Sequence, residues 1–244
     1  MKIHFLGTSW AVPSKDRSGT SIYLENHGTL LDCGGDVAQK LIKMEKDPLD
    51  IEKIFLTHEH LDHLYGLPSL LQVIKLLGNK KEVSIFGPTD TIEKIKKVTS
   101  LFGLEEDLKL NYTSLDNREK EEQRVRGEIE GFRYTKVKHS KPTLAYRKNK
   151  VTFSGDTSYS EELIDLAKNS QLLIHEATFK DSERKKAKEK GHSTPKEAIK
   201  TGLKSNVDKI ALVHTNSQLD SDELNKKYKS IDILAPNDLE TIEI

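Results

Sequence analysis

The segment Thr57-His58-Glu59-His60-Leu61-Asp62-His63 places three imidazoles and a carboxylate within six residues. These are the natural ligands of zinc and similar divalent ions. In a locally extended stretch side chains alternate, so His58 and His60 point to the same side. As the chain turns into a following helix, Asp62 and His63 swing toward a second point. One short loop can therefore serve two metal ions. A polar turn accounts for one histidine, but not for four ligand-type residues at this spacing.

The loop must be held by its flanks. It follows the apolar run 51–56, which reads as a buried strand, and it precedes Leu64-Tyr65-Gly66-Leu67-Pro68 and a helical pattern over 69–77. That is the carboxyl end of a strand, where open α/β sheets place their sites. Three more candidates stand in the same kind of place. His139 follows the run 132–138, Asp156 follows 151–154, and His214 follows 210–213. Singly each would pass for a loop residue; the repetition makes them a set.

Around these positions, strands are expected at 2–6, 21–25, 29–32, 83–88, 110–114, 128–138, 144–147, 151–154, 171–175 and 210–213. Helices are expected at 37–44, 91–101, 161–168, 194–204 and 221–228. Ser193 or Thr194 caps the helix at 194–204, with Pro195 at its first turn. Strands and helices alternate in two halves, without an internal repeat. The charged runs 116–126 and 181–190 read as solvated loops or helix faces. Lys+Arg and Asp+Glu are equal at 39 each, so no global basic field draws the 244-residue chain onto nucleic acid. One cysteine, Cys33, excludes an internal disulfide and fits a reducing compartment. No apolar stretch near the N-terminus is long enough for a signal peptide or membrane span. A cytoplasmic protein is expected.

The pattern His58-x-His60-x-Asp62-His63 resembles the signature of the metallo-β-lactamase superfamily. Phe5-Leu6-Gly7-Thr8 with Val12-Pro13, Leu31-Asp32-Cys33-Gly34-Gly35, His175-Glu176-Ala177-Thr178 and His192-Ser193-Thr194 are similar to elements of its ribonuclease Z branch. The likeness runs from Gly7 to His214. It implies an α/β (α+β) fold, an αββα sandwich of two mixed β-sheets with outer helices, as a single domain over 1–244. It also implies that His58, His60 and His139 hold one ion, that Asp62, His63 and His214 hold the other, and that Asp156 bridges them. The two divalent ions would be Zn, with Mn or Fe also accepted by such ligands. Two Zn²⁺ less the charges of Asp62, Asp156 and a bridging hydroxide leave a positive site, suited to a phosphodiester. The implied activity is metal-dependent hydrolysis of an RNA or nucleotide phosphodiester by metal-bound hydroxide. Asp62 would orient the nucleophile or act as base, and His192 would assist the leaving oxygen, backed by Glu176. His175 reads as structural or supporting, Cys33 as a core or turn residue. A homodimer is the family's common state.

The match also departs. Ribonuclease Z enzymes that process tRNA 3′ ends carry a protruding arm between the positions of His139 and Asp156. Here those residues stand 17 positions apart, room for a hairpin only. Leu61 replaces the glycine usual before the aspartate. The armless pattern, with His139-Ser140 and Tyr146, is similar to small phosphodiesterases of the same branch. The alternatives are a tRNA 3′-processing endoribonuclease proper, a thioester or lactone hydrolase on the same metals, and a non-catalytic RNA-binding relative. The basic run 184–190 could guide an RNA backbone, though a solvated face explains it as well.

Overall fold

The computed structural model describes residues 1–116 and 125–244. The chain divides into two compact units, Met1–Glu121 with Asn237–Ile244, and Glu122–Pro236. Each is built on one seven-stranded mixed sheet.

In the first unit, β1 (Lys2–Gly7), β2 (Ser21–Leu24) and β3 (Thr29–Leu31) form an antiparallel meander. The chain's last strand, β14 (Glu240–Glu243), adds antiparallel to β1. From β3 onward the pairing turns parallel, through β4 (Lys53–Phe55), β5 (Glu82–Gly87) and β6 (Lys109–Ser114). Parallel neighbours need a crossover. The helices α1 (Val37–Lys43), α2 (Leu67–Leu76) and α3 (Thr89–Leu101) supply the three. In α2, Leu67, Leu70, Leu71 and Ile74 recur at helical spacing and are all buried, in a core with Ile54, Val83 and Ile85. Each such side chain contributes roughly 1.5–3 kcal/mol. Pro68 lies in the first turn of α2, so the helix begins before the proline rather than after it.

The second unit repeats the plan: antiparallel first, then parallel. Strands β7 (Arg126–Ile129), β8 (Phe132–Lys136), β9 (Leu144–Lys148) and β10 (Val151–Phe153) run antiparallel. The strands β11 (Leu172–Glu176), β12 (Lys209–Val213) and β13 (Asp232–Leu234) continue parallel from β10. The crossovers are α4 (Glu161–Ala167), α5 (Arg184–Lys190) with α6 (Pro195–Lys204), and α7 (Ser221–Lys227). Thr194 and Glu197 close a reciprocal capping box on α6.

The single strand expected at 128–138 is instead the hairpin β7–β8. Glu130 and Gly131 turn it with φ of 52° and 70°, the two left-handed residues that a type I′ turn requires. Segment 140–155 contains the short hairpin β9–β10, with Lys148 paired to Val151. Of the charged run 116–126, residues 117–124 lie outside the described residues. Among the described residues, no helix is long and apolar enough to cross a membrane.

One packing detail bears directly on the metal loop. A Cβ on Gly34 would lie 1.9 Å from the Asp62 carbonyl oxygen, and one on Gly66 would lie 1.8 Å from the Gly35 carbonyl oxygen. The loop 58–66 is thus bedded backbone against backbone on the turn that follows β3. The Cys33 amide donates to His63 O at 2.8 Å and the Gly66 amide to Cys33 O at 2.9 Å. Cys33 itself is fully buried, and burial pushes its thiol well above the ordinary range. It is a packing residue.

Candidate metal centre

In the first unit the loop after β4 carries four ligand-type side chains. His58 Nε2 and His60 Nδ1 lie 2.8 Å apart. A tetrahedral ion with nitrogens at about 2.0–2.1 Å separates them by about 3.3 Å, so the two atoms suit a shared ion. His63 Nε2 lies 3.6 Å from Asp62 Oδ2, a second such pair. The opposite nitrogens are engaged. His63 Nδ1 donates to Asp32 Oδ2 at 2.7 Å, and His58 Nδ1 meets the Thr57 hydroxyl at 3.0 Å. A neutral imidazole protonated on Nδ1 keeps its lone pair on Nε2. Both rings are therefore set to offer Nε2. His58 and His63 are buried, whereas Asp62 keeps its side chain 16% exposed.

In the second unit the ends of the parallel strands converge on Asp156, which follows β10. Its Oδ2 lies 3.9 Å from His139 Nε2, and its Oδ1 lies 3.6 Å from His214 Nε2. His139 Nδ1 donates to the Gly191 carbonyl at 2.8 Å, so its Nε2 carries the lone pair, 3.4 Å from the Ser140 hydroxyl. Burial pushes His139 below the usual imidazole range, against the pull of Asp156, which favours the neutral ring that binds metals. Asp156, His192 and His214 present ligand atoms within 4.8 Å of one another. His192 differs in the atom it turns inward. Its Nδ1, 3.9 Å from Asp156 Oδ2, holds the proton given to Glu176 Oε1 at 2.9 Å. That nitrogen has no lone pair to offer, and His192 stands apart from the ligand pattern.

Glu176 ends β11 and is buried. Successive strand residues face opposite ways, which separates it from His175. Besides His192, Glu176 accepts from the amides of Thr157 (2.8 Å), Thr178 (3.2 Å) and Ser193 (3.2 Å), and from the Thr178 hydroxyl (2.7 Å). Burial opposes its charge, but the imidazole of His192 and the hydrogen bond to it prevail and hold the carboxyl below its ordinary range. His175 donates from Nδ1 to the Glu176 carbonyl at 2.7 Å and is held neutral by burial, a structural role. On α5, Arg184 pairs with Glu197 and Lys186 with Glu183, so part of the basic run is already engaged.

Sequence reasoning missed three participants: the acceptor role of Asp32, and the hydroxyls of Thr57 and Thr178. The structure itself marks Asp32 and His214, which take left-handed φ of 56° and 52° at strand ends. Non-glycine residues hold that conformation at a cost of about 1–3 kcal/mol, chiefly at functional positions.

In each unit ligand-type atoms thus face one another, while the second nitrogens of His58, His63, His139 and His214 meet a hydroxyl, a carboxylate or a carbonyl. The donor set of imidazoles and ionised carboxylates fits divalent ions of the zinc, manganese or iron kind.

Comparison with known proteins bears on what these residues do. A family model described as a Beta-lactamase superfamily domain matches residues 27–215. Ribonuclease Z of Methanococcus maripaludis is 31% identical over 277 aligned positions, covering 91% of this chain and 90% of that protein. Ribonuclease Z of Prochlorococcus marinus is 28% identical over 304 positions, covering 98% and 93%. Both alignments are longer than the 244-residue chain, so these relatives carry insertions that it lacks. Human tRNase Z, short form, superposes with a TM-score of 0.81 at 28% identity, covering 100% of this chain and 99% of that one. The metallo-β-lactamase fold protein YhfI of Bacillus subtilis superposes with a TM-score of 0.80 at 21% identity, covering 99% and 98%, a likeness of fold.

Proposed function

The chain belongs to the β-lactamase superfamily and, within it, to the ribonuclease Z family, and from that premise we propose that it hydrolyses phosphodiester bonds in RNA or nucleotides on a two-ion centre. It is a metal-dependent hydrolase of the metallo-β-lactamase fold. The assignment of ligands is part of the proposal: His58, His60 and His139 for one ion, Asp62, His63 and His214 for the other, and Asp156 between them. The observation that carries it is the carboxylate of Asp156, whose two oxygens turn to histidines of the two different sets. Residues 1–244 are read as one catalytic domain.

Two divalent ions, when bound, supply positive charge to a phosphodiester and make water a better nucleophile near neutral pH. The chain's own groups do the rest. Glu176 accepts the Nδ1 proton of His192 and orients the ring, so that Nε2 can protonate or stabilise the leaving oxygen. Asp62, partly exposed, can orient the attacking water or take its proton. Zinc is the metal proposed, and the protein is read as a cytoplasmic homodimer.

Small or single-stranded diesters are the preferred substrates in this reading. Capture of a folded tRNA takes many phosphate contacts away from the cut. The segment between His139 and Asp156 holds only the β9–β10 hairpin, and the net charge is zero. Processing of tRNA 3′ ends is the second reading, favoured by what the relatives are called. The deciding experiment tests purified protein with defined metals on a precursor tRNA, a cyclic nucleotide and an aryl phosphodiester. A kcat/KM for precursor tRNA far above that for small diesters, at physiological salt, would replace the first reading with the second.

A further inference from the structure

Both units build the same small device behind a strand-end histidine. In the first, Asp32 accepts from the Thr57 amide at 2.7 Å and from the Thr57 hydroxyl at 2.8 Å. A hydroxyl has one proton, and here it is engaged by the carboxylate. Toward His58 Nδ1, 3.0 Å away, the same oxygen can only accept. In the second, the Thr178 hydroxyl donates to Glu176 Oε2 at 2.7 Å and accepts from His214 Nδ1 at 2.8 Å. Each carboxylate also holds another histidine directly, Asp32 on His63 and Glu176 on His192. Asp32, Thr57, Glu176 and Thr178 are all buried, so water does not compete for these bonds.

We propose that Thr57 and Thr178 are positioning residues, each linking a buried carboxylate through one hydroxyl to the Nδ1 of a metal-ligating histidine. The proposal rests on the two-ion reading above. The hydroxyl keeps each ring in its Nδ1–H form and leaves Nε2 as the ligand atom. It does so without setting another full negative charge against the imidazole, which a direct carboxylate contact would do. One threonine serves each proposed ion: Thr57 acts on the ion of His58, and Thr178 on the ion of His214. Groups that orient metal-ligating histidines typically govern affinity by about 10–100-fold.

The test uses Thr57→Val and Thr178→Val, which keep the volume and lose the hydroxyl, with Thr57→Ser and Thr178→Ser as the restoring pair. Zinc affinity is measured by chelator competition, and ring tautomers by ¹⁵N NMR of the metal-free protein. Each valine variant is expected to weaken one ion of the two by about 10–100-fold. It should also shift its own histidine out of the Nδ1–H form, with both effects reversed by serine. Valine variants with wild-type affinity for both ions overturn the proposal, whatever their tautomers. Serine variants as weak as the valine ones overturn it too, since packing would then be the cause. A wild-type protein binding fewer than two ions overturns the two-ion reading instead, while the ring spectra still report whether the hydroxyls set the tautomers.

Discussion

Replacing Glu176 by glutamine changes little but one charge, and its effect can be worked from the contacts. Oε2 receives three donors: the Thr178 amide, the Thr178 hydroxyl and the Ser193 amide. Oε1 receives the Thr157 amide and His192 Nδ1. The new NH2 cannot sit at the Oε2 side without opposing three donors, so it takes the Oε1 side. There it leaves the Thr157 amide without an acceptor, a loss of about 1–3 kcal/mol. It also removes the negative charge beside the His192 ring. Facing an NH2 group, His192 must accept on Nδ1, which moves its proton to Nε2 and unsettles the ring's acid–base role. A fall in kcat of about 10²–10⁴ follows, the typical worth of a general acid–base group. The carbonyl left at the Oε2 side still accepts from Thr178, so metal content should stay near wild type. The assay is kcat on an aryl phosphodiester, read with metal content and a urea melt. A Glu176→Gln protein with full metal and wild-type kcat would refute the role given to the Glu176–His192 pair.

Three further outcomes are expected. His192→Ala should lower turnover by about 10²–10⁴-fold with little change in metal content, and the loss should shrink for a diester with a good leaving group; equal losses for good and poor leaving groups would indicate positioning instead. Gly34→Ala brings a Cβ to 1.9 Å from the Asp62 carbonyl, so metal binding and melting temperature should both fall, and a variant matching wild type in both would show that the loop does not rest on that backbone contact. Glu25 is drawn down from the ordinary 4.5 to about 2, first by its bond to Lys46 and then by that to His4. A depressed carboxyl gives stability that is whole above about pH 4.5 and is lost as pH falls toward 2; after solvent screening this is worth about 1 kcal/mol. Glu25→Gln should therefore flatten the acid limb of the stability curve between those limits, and an unchanged limb would assign acid sensitivity elsewhere.

The metal-ligand candidates were legible because ligand chemistry stands directly behind apolar runs, at His58–His63, His139, Asp156 and His214. Asp32, Thr57 and Thr178 were not, because a lone carboxylate or hydroxyl at a turn carries no chemical signature. What brings Asp32 to Thr57 is the parallel register of β3 on β4, in which Leu31 pairs Phe55. That is a relation between residues far apart in sequence. The β7–β8 hairpin escaped notice because Glu130 occupies a left-handed turn position that usually advertises itself as asparagine, aspartate or glycine. Strands β13 and β14 are three and four residues long, too short for periodicity to register. The αβ alternation and the cap of α6 were visible, since both rest on local pattern.

The left-handed backbone at Asp32 and His214 has a consequence for anyone breeding tougher versions of this protein. Glycine would relax the backbone at both places, but at residue 32 it would strand the Thr57 amide, the Thr57 hydroxyl and the His63 ring, at about 1–3 kcal/mol for each buried group left unpaired, against about 1–3 kcal/mol of strain released. His214 is buried as well and donates to the Thr178 hydroxyl, so glycine there trades strain for a cavity and a lost bond. A heat-challenge library scored only by survival therefore has reason to keep both residues, and the bent backbone persists as the cost of holding two rings in place.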